Sequence, residues 1–103
     1  MRMMVKVSQP VETGNQKIAD GSLPRLIQGM VGELKAEAAY FLTMEGKRTA
    51  LIFFDLADSS QIPAVAEPFF MGLNAAVEFY PVMTGEDLAK GLAAAEQVVK
   101  RYL

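Results

Sequence analysis

Two segments of the chain share one apolar spacing, and this repeat constrains the fold more than any other feature of the sequence. Apolar side chains recur at i, i+3, i+4, i+7, i+8 and i+11, which places them on one side of an α-helix. The first set predicts a helix over residues 23–35 with Ser22 as its N-cap, and the second predicts a helix that begins at Asp58 and ends at Asn74. The two sets are Leu23, Leu26, Ile27, Met30, Val31 and Leu34, and Ile62, Val65, Ala66, Phe69, Phe70 and Leu73.

Four other segments are short and rich in apolar and aromatic residues, which is typical of strands. Glu45-Gly46 joins the middle two as a two-residue hairpin loop. With that loop Tyr40 faces Leu51 across the pair, whereas a bulged turn would shift the register by one residue and exchange the two faces. The predicted strands are residues 2–8, 36–44, 48–56 and 76–83.

The remaining segments differ in how much they specify. Residues 11–21 are polar and rich in turn residues, so the sequence leaves their path open, with a helical turn around Gln16–Ala19 as one option. Thr84 to Asp87 resembles a capping box and predicts a closing helix over residues 85–102. Its inner stripe is Leu88, Leu92, Ala95, Val99 and Tyr102.

These elements follow one another in the order β-α-β-β-α-β-α. One four-stranded antiparallel sheet with helices on one face is the simplest arrangement, with right-handed crossovers between strands one and two and between strands three and four. A chain of 103 residues forms one core, so we expect a single domain over residues 1–103. The sequence therefore predicts an α+β fold.

The predicted strands are apolar on both faces, which a sheet covered on one side does not need. In the third strand Leu51 and Phe53 point one way, while Ile52 and Phe54 point the other. Two helices cover only one face, and the other would leave a large apolar patch in water. We therefore expect a homodimer formed through the sheet face. The alternative is that the C-terminal helix folds over the second face of its own sheet.

Five short motifs carry a resemblance to known proteins: Glu37-Ala-Ala-Tyr-Phe41, Gly46-Lys-Arg-Thr-Ala50, Ser60-Gln-Ile-Pro63, Ala66-Glu-Pro-Phe-Phe70 and Pro81-Val-Met83. Together with the element order, they resemble small bacterial proteins of the ferredoxin-like, dimeric α-β barrel group. The resemblance covers about residues 35–92, and it implies a ferredoxin-like β-α-β-β-α-β fold with an added C-terminal helix and a dimer. The wider group includes quinone-forming monooxygenases, muconolactone isomerases, haem-degrading enzymes and stress-response proteins, so the resemblance implies no single activity.

The composition excludes several kinds of chemistry. The chain has no cysteine and no histidine, which removes thiolate nucleophiles, Ser-His relays, and histidine-ligated metals or haem. Asp55, Asp58 and Glu67 carry oxygen ligands, but their spacing matches no cation-binding loop, so we expect no metal and no cofactor. Ten Lys and Arg against twelve Asp and Glu give a net charge of -2, which does not attract nucleic acid.

No apolar run approaches the roughly 20 residues that span a bilayer, and the first residues are too short and too charged for a signal peptide. We therefore expect a cytoplasmic protein that binds neither a membrane nor nucleic acid.

Five polar side chains lie within the apolar strands: Lys6, Tyr40, Asp55, Glu78 and Tyr80. All of them except Asp55 are candidate site residues. In the expected strand order 4-1-3-2, Lys6 and Glu78 occupy adjacent antiparallel strands and can form an ion pair. In the functional interpretation they are the polar groups of an apolar pocket, with Glu78 accepting a proton and a tyrosine donating a hydrogen bond. In the structural interpretation they are an ion pair and two tyrosines with hydrated hydroxyls.

Three functions follow from these observations. The first is a small homodimer that binds an apolar or aromatic small molecule or acts as an accessory or regulatory domain. The alternative is a cofactor-independent monooxygenase or isomerase, in which Glu78, Tyr40 and Lys6 orient the substrate. The third is a structural or stress-related protein without catalysis. The sequence specifies neither the ligand nor the pathway.

Overall fold

The computed structural model describes residues 1–103 and shows an α+β fold with one four-stranded antiparallel sheet and four helices. The strand order is β2-β3-β1-β4, which is the predicted order read from the opposite edge. No helix combines the length and the apolar character that crossing a membrane requires. The elements are β1 (Arg2–Ser8), α1 (Val11–Ala19), α2 (Ser22–Glu33), β2 (Ala38–Met44), β3 (Lys47–Asp55), α3 (Ile62–Leu73), β4 (Ala76–Pro81) and α4 (Gly85–Tyr102), with a 3-10 turn (Ser59–Gln61) before α3.

The β2–β3 hairpin has the predicted two-residue loop. Glu45 and Gly46 adopt φ values of 54° and 75°, the left-handed pair whose twist matches that of the flanking strands. Tyr40 lies opposite Leu51, as the loop length predicts. Because side chains alternate along a strand, this register decides which residues of β2 share a face with β3.

The core lies between one face of the sheet and the helices α2 and α3. Val5, Val7 and Ile52 point from the strands into this layer and have no exposed surface. Phe69 of α3 is equally buried against them. The two helices approach closely at Gly72, where an added β-carbon would lie 2.7 Å from Leu26 Cδ2. The two apolar sets that predicted amphipathic helices therefore lie on α2 and α3, the helices that cover this face of the sheet.

The sequence leaves the path of residues 11–21 open, and in the structure Val11–Ala19 form the helix α1. Its two large apolar residues, Val11 and Ile18, are too few to give a periodic signal, and both are exposed. The N-cap of α2 differs from the prediction: it is Gly21, with φ 80°, and Ser22 is the first helical residue. The Ser22 backbone N–H donates to Asp20 Oδ1 at 2.8 Å, so Asp20 supplies the polar group expected from Ser22.

The closing helix α4 has the predicted bounds but not the predicted packing. Thr84 Oγ1 accepts a hydrogen bond from the Asp87 backbone N–H at 3.1 Å, which completes the capping box. Every residue of α4 is exposed, and the molecule measures 57 × 27 × 21 Å. A helix of this length is about 27 Å long, so α4 projects from the body along the long axis. The alternative in which this helix covers the second face of its own sheet is therefore wrong.

Candidate functional site on the open sheet face

The face of the sheet opposite α2 and α3 has no helix on it in the chain, and we call it the open face. Its residues follow from the strand register, because every second side chain of each strand points to the same side. They are Arg2, Met4, Lys6 and Ser8 of β1, Ala38, Tyr40, Leu42 and Met44 of β2, Thr49, Leu51, Phe53 and Asp55 of β3, and Ala76, Glu78 and Tyr80 of β4.

The centre of the open face is apolar. Leu51 and Phe53 of β3 lie beside Met4 of β1, and all three side chains are half-buried by their neighbours within the sheet. The Tyr40 ring meets the Phe53 ring edge to face, with centroids 6.3 Å apart and an interplanar angle of 77°. Such pairs stabilise beyond their buried area and hold both rings in defined orientations. This part of the face offers a flat aromatic and aliphatic surface.

One edge of the open face carries a polar cluster, which consists of Lys6, Glu78 and Tyr80. Lys6 Nζ lies 3.4 Å from Glu78 Oε2, and Tyr80 Oη donates a hydrogen bond to the same oxygen at 2.9 Å. The predicted pairing of Lys6 with Glu78 is therefore confirmed, and Tyr80 joins it because it follows Glu78 by two residues on the same face of β4. Glu78 Oε1 has no hydrogen-bond partner in the chain and stays open to another donor.

The hydrogen bond to Glu78 changes the acidity of Tyr80. It raises the pKa of the Tyr80 hydroxyl above its ordinary value, and burial and the Glu78 charge act in the same direction. Lys6 opposes the shift because an ammonium group favours the phenolate. The cluster thus presents a hydroxyl that is held in its protonated form, beside the Lys6–Glu78 ion pair. One carboxylate is too few for a Ca²⁺ or Mg²⁺ site, but the set suits a polar substituent of an organic molecule.

Tyr40 does not belong to the polar cluster. It lies on β2, at the opposite edge of the sheet from Tyr80 on β4. Neighbouring strands are about 4.8 Å apart, so three strand spacings place the two tyrosines roughly 14 Å from each other. The structure therefore brings together three of the four predicted site residues, and the apolar centre separates them from Tyr40.

The single chain does not enclose the polar cluster in a cavity. The open face carries a shallow depression of about 390 Å³ between Tyr40, Phe53 and the segment Val82–Thr84, which leads into α4, and none of the three cluster residues lines it. Arg2 and Glu37 form an ion pair at its margin, and the hydrogen bond to Glu37 raises the pKa of Arg2. The open face is thus a surface, and a molecule bound there stays in contact with water unless a second layer lies on the sheet.

The structure also shows a groove that the sequence analysis missed. It has a volume of about 530 Å³ and lies on the helix side of the sheet, with Leu23 and Ile27 of α2 on one wall and Phe41 of β2 on the other. Gln9 and Arg48 close one end, and the buried Gln9 Oε1 has no hydrogen-bond partner. One signal was available: Gln9 continues the inward alternation of Met3, Val5 and Val7, which puts a polar amide at a buried position.

Comparison with known proteins adds no relative. The chain matches no protein-family model, and no curated protein is significantly similar to it in sequence. Inference about function therefore rests on the geometry of the open face, the polar cluster and α4.

Proposed function

We propose that the protein is a homodimer of the ferredoxin-like, dimeric α-β barrel type that holds an apolar or aromatic small molecule between the open faces of its two copies. The observation that carries this proposal is an apolar sheet centre with a polar cluster at its edge, on a face that nothing in the chain covers. A second sheet laid on that face would turn the surface into an enclosed site with few, fixed polar groups, which is the usual character of small-molecule sites.

Burial energies support association through this face. A fully buried large apolar side chain gains about 1.5–3 kcal/mol, so a half-buried one gains roughly 1 kcal/mol when a partner completes its burial. Five such side chains in each copy give a total of roughly 10 kcal/mol, of the same order as the 4–15 kcal/mol lost when two bodies associate. Sheet packing alone therefore gives a weak to moderate dimer, and further contacts would tighten it. The five are the half-buried Met4, Leu51 and Phe53 and the exposed Tyr40 and Leu42, which have more surface left to bury.

The side chains also limit the chemistry of the ligand. Leu51 and Phe53 suit a flat ring, which would gain both burial and stacking. The open oxygen of Glu78 accepts a hydrogen bond, so a hydroxyl or amide N–H on the ring would orient the molecule. A neutral aromatic compound with one such group fits better than an anion, since the nearest cation, Lys6, already pairs with Glu78.

A second function is favoured by the same open oxygen. A carboxylate with one unpartnered oxygen beside an apolar surface is suited to accept a proton from a bound substrate. This is the group that a cofactor-independent monooxygenase or isomerase needs, because its substrate supplies the rest of the reactivity. Glu78 would then be the base, with Lys6 and Tyr80 holding its second oxygen in place.

Sedimentation equilibrium tests the dimer. Leu51→Asp puts a charge at the centre of the proposed interface and should give monomers at concentrations where the unmodified chain is dimeric. Met71→Asp is the matched control, since Met71 is exposed on α3, on the other side of the sheet, and this variant should remain dimeric. An unmodified chain that sediments as a monomer at tens of micromolar would contradict the proposal.

Ligand binding is tested by calorimetry and thermal shift with hydroxylated aromatic compounds, quinones and lactones. A compound that binds should lose about ten-fold in affinity with Glu78→Gln and more with Leu51→Asp. Any turnover found in the same screen is assayed with Glu78→Gln and Tyr40→Phe. Turnover that neither substitution changes would show that Glu78 and Tyr40 are not the catalytic residues.

A further inference from the structure

We infer that α4 is an arm exchanged between the two copies, whose apolar stripe packs across β2 of the partner and completes that copy's site on the open face. This inference rests on the proposed dimer and specifies a contact that sheet packing alone does not require. The observation behind it is a pair of unpartnered apolar surfaces in one chain, a whole helix and an edge strand.

Little within its own chain stabilises the helix. Most helical stability in proteins comes from packing of an apolar side, and Gly91 inside α4 lowers its intrinsic helix propensity. The capping box and the exposed Glu96–Lys100 ion pair, with Nζ and Oε1 3.2 Å apart, are local supports, and an exposed pair of this kind stabilises a helix only slightly. The apolar stripe has no contact layer in its own chain, with Leu92 60% and Tyr102 74% exposed.

The strand β2 is the surface on the body that matches this helix. Three consecutive large side chains are exposed there: Tyr40 by 63%, Phe41 by 61% and Leu42 by 38%. Because side chains alternate, Tyr40 and Leu42 belong to the open face, while Phe41 lines the groove on the helix side. The strand is an edge strand that is apolar on both faces, an arrangement that natural proteins cover or interrupt because it promotes aggregation.

The apolar stripe of the chain's own α4 does not lie on its own β2. The Val82 backbone N–H donates to Arg2 carbonyl oxygen at 3.2 Å, so the chain stays paired with β1 until just before the helix starts. From there α4 extends away from the body, which accounts for the 57 Å long axis. Its start lies beside Tyr40 and Phe53, at the margin of the open face, so a second copy docked on that face would lie next to the helix.

The size of the contact favours a second copy as the occupant. A helix about 27 Å long and about 10 Å wide covers roughly 270 Å² of a facing surface. Reciprocal exchange of two helices removes about 1,100 Å² from water, counting both sides of each contact, and the apolar centres of the open faces add to it. The total reaches the 1,200–2,000 Å² that stable interfaces bury. A two-fold dimer also satisfies both surfaces at once, because each copy donates one helix and presents one strand.

Charge substitutions in the stripe test the contact. Leu92→Glu combined with Val99→Glu should weaken the dimer at least 100-fold in sedimentation equilibrium. Ala94→Glu combined with Gln97→Glu adds the same charge on the opposite side of α4 and should leave the dissociation constant within about three-fold of the original value. An unmodified chain that dimerises, with a stripe variant that dimerises equally well, would overturn helix exchange and leave the sheet dimer intact.

Disulfide trapping tests the same contact without relying on a weakened dimer. The chain has no cysteine, so Val99→Cys and Leu42→Cys, the latter on the open face of β2, can be made separately, mixed and oxidised. A mixed disulfide joins two different chains, and mass spectrometry of the linked peptides should identify residue 99 bonded to residue 42. Met71→Cys replaces Leu42→Cys as the control and should give no such product. Absence of the mixed product from a dimeric sample contradicts the exchange, whereas a monomeric sample contradicts the dimer as well.

Discussion

The two faces of the sheet are built from the same strands and both carry large apolar side chains, yet they differ in what covers them. On β3, Ile52 has no exposed surface, while its neighbours Leu51 and Phe53 are only half-buried on the other face. The helix-covered face is completed by α2 and α3 of the same chain. The open face has no such layer. Apolar residues in a strand therefore indicate burial, but not whether the chain or a partner provides it.

The largest expected effect separates the two faces by their contribution to folding. Phe69→Ala empties a fully buried position on the helix-covered side and should lower the free energy of unfolding by about 3–5 kcal/mol. Phe53→Ala also removes a phenylalanine ring, but from the open face, where the ring is only partly buried. It should lower the free energy of unfolding by about 1–2 kcal/mol. Urea denaturation of both variants on the Leu51→Asp background compares them without dimerisation. Equal costs would mean that the open face is part of the folding core.

The hairpin and the strand order show how much of this comparison the sequence predicts. The glycine of the Glu45-Gly46 loop predicts the two-residue turn, and the turn fixes the register that puts Tyr40 and Leu51 on one face. The adjacency of Lys6 and Glu78 follows from strand order alone. These features are local or are fixed by chain connectivity, so a single sequence carries them.

Other features depend on three-dimensional placement and could not be predicted. The helix α1 is polar and contains Gly14, so neither its periodicity nor its propensity distinguishes it from a loop. The stripe of α4 predicts an apolar contact, but the spacing does not show that the contact lies outside the chain. The groove beside Phe41 exists because α2 leaves the helix side of β2 uncovered. The position of a helix across a sheet cannot be predicted from the spacing of apolar residues.

A smaller effect compares two positions within the layer that covers the sheet. Gly29 has nothing within 4 Å of an added β-carbon, whereas at Gly72 that carbon would lie 2.7 Å from Leu26 Cδ2. Gly29→Ala should therefore stabilise the protein by about 0.5–1 kcal/mol through helix propensity. Gly72→Ala should not stabilise the protein, because the added methyl group forces Leu26 to move within the packed α2–α3 contact and this offsets the gain in helix propensity. Thermal denaturation of the two variants measures the difference, and equal stabilisation would show that this contact is loose.

The smallest expected effect concerns the polar cluster, whose groups stay accessible because the open face lacks a helix layer. Tyr80 should ionise at a higher pH than an ordinary tyrosine, since its hydroxyl donates to the Glu78 carboxylate and the pKa is raised. Because the pKa of Tyr80 is raised, this hydrogen bond stabilises the fold fully when the pH is below the pKa that Tyr80 has in the unfolded chain. The stabilisation is lost as the pH rises through the pKa that Tyr80 has in the folded protein.

The chain has three tyrosines, so Tyr40→Phe combined with Tyr102→Phe leaves Tyr80 as the only tyrosine for an ultraviolet absorbance titration. Adding Glu78→Gln should lower the midpoint, because a neutral amide stabilises the protonated hydroxyl less than a carboxylate does, and adding Lys6→Met should raise it. A midpoint that neither substitution moves would show that the Tyr80 hydroxyl interacts with water and not with Glu78 or Lys6. Tyr80 would then not hold Glu78 in place, and the open face would lack a fixed carboxylate to orient a ligand.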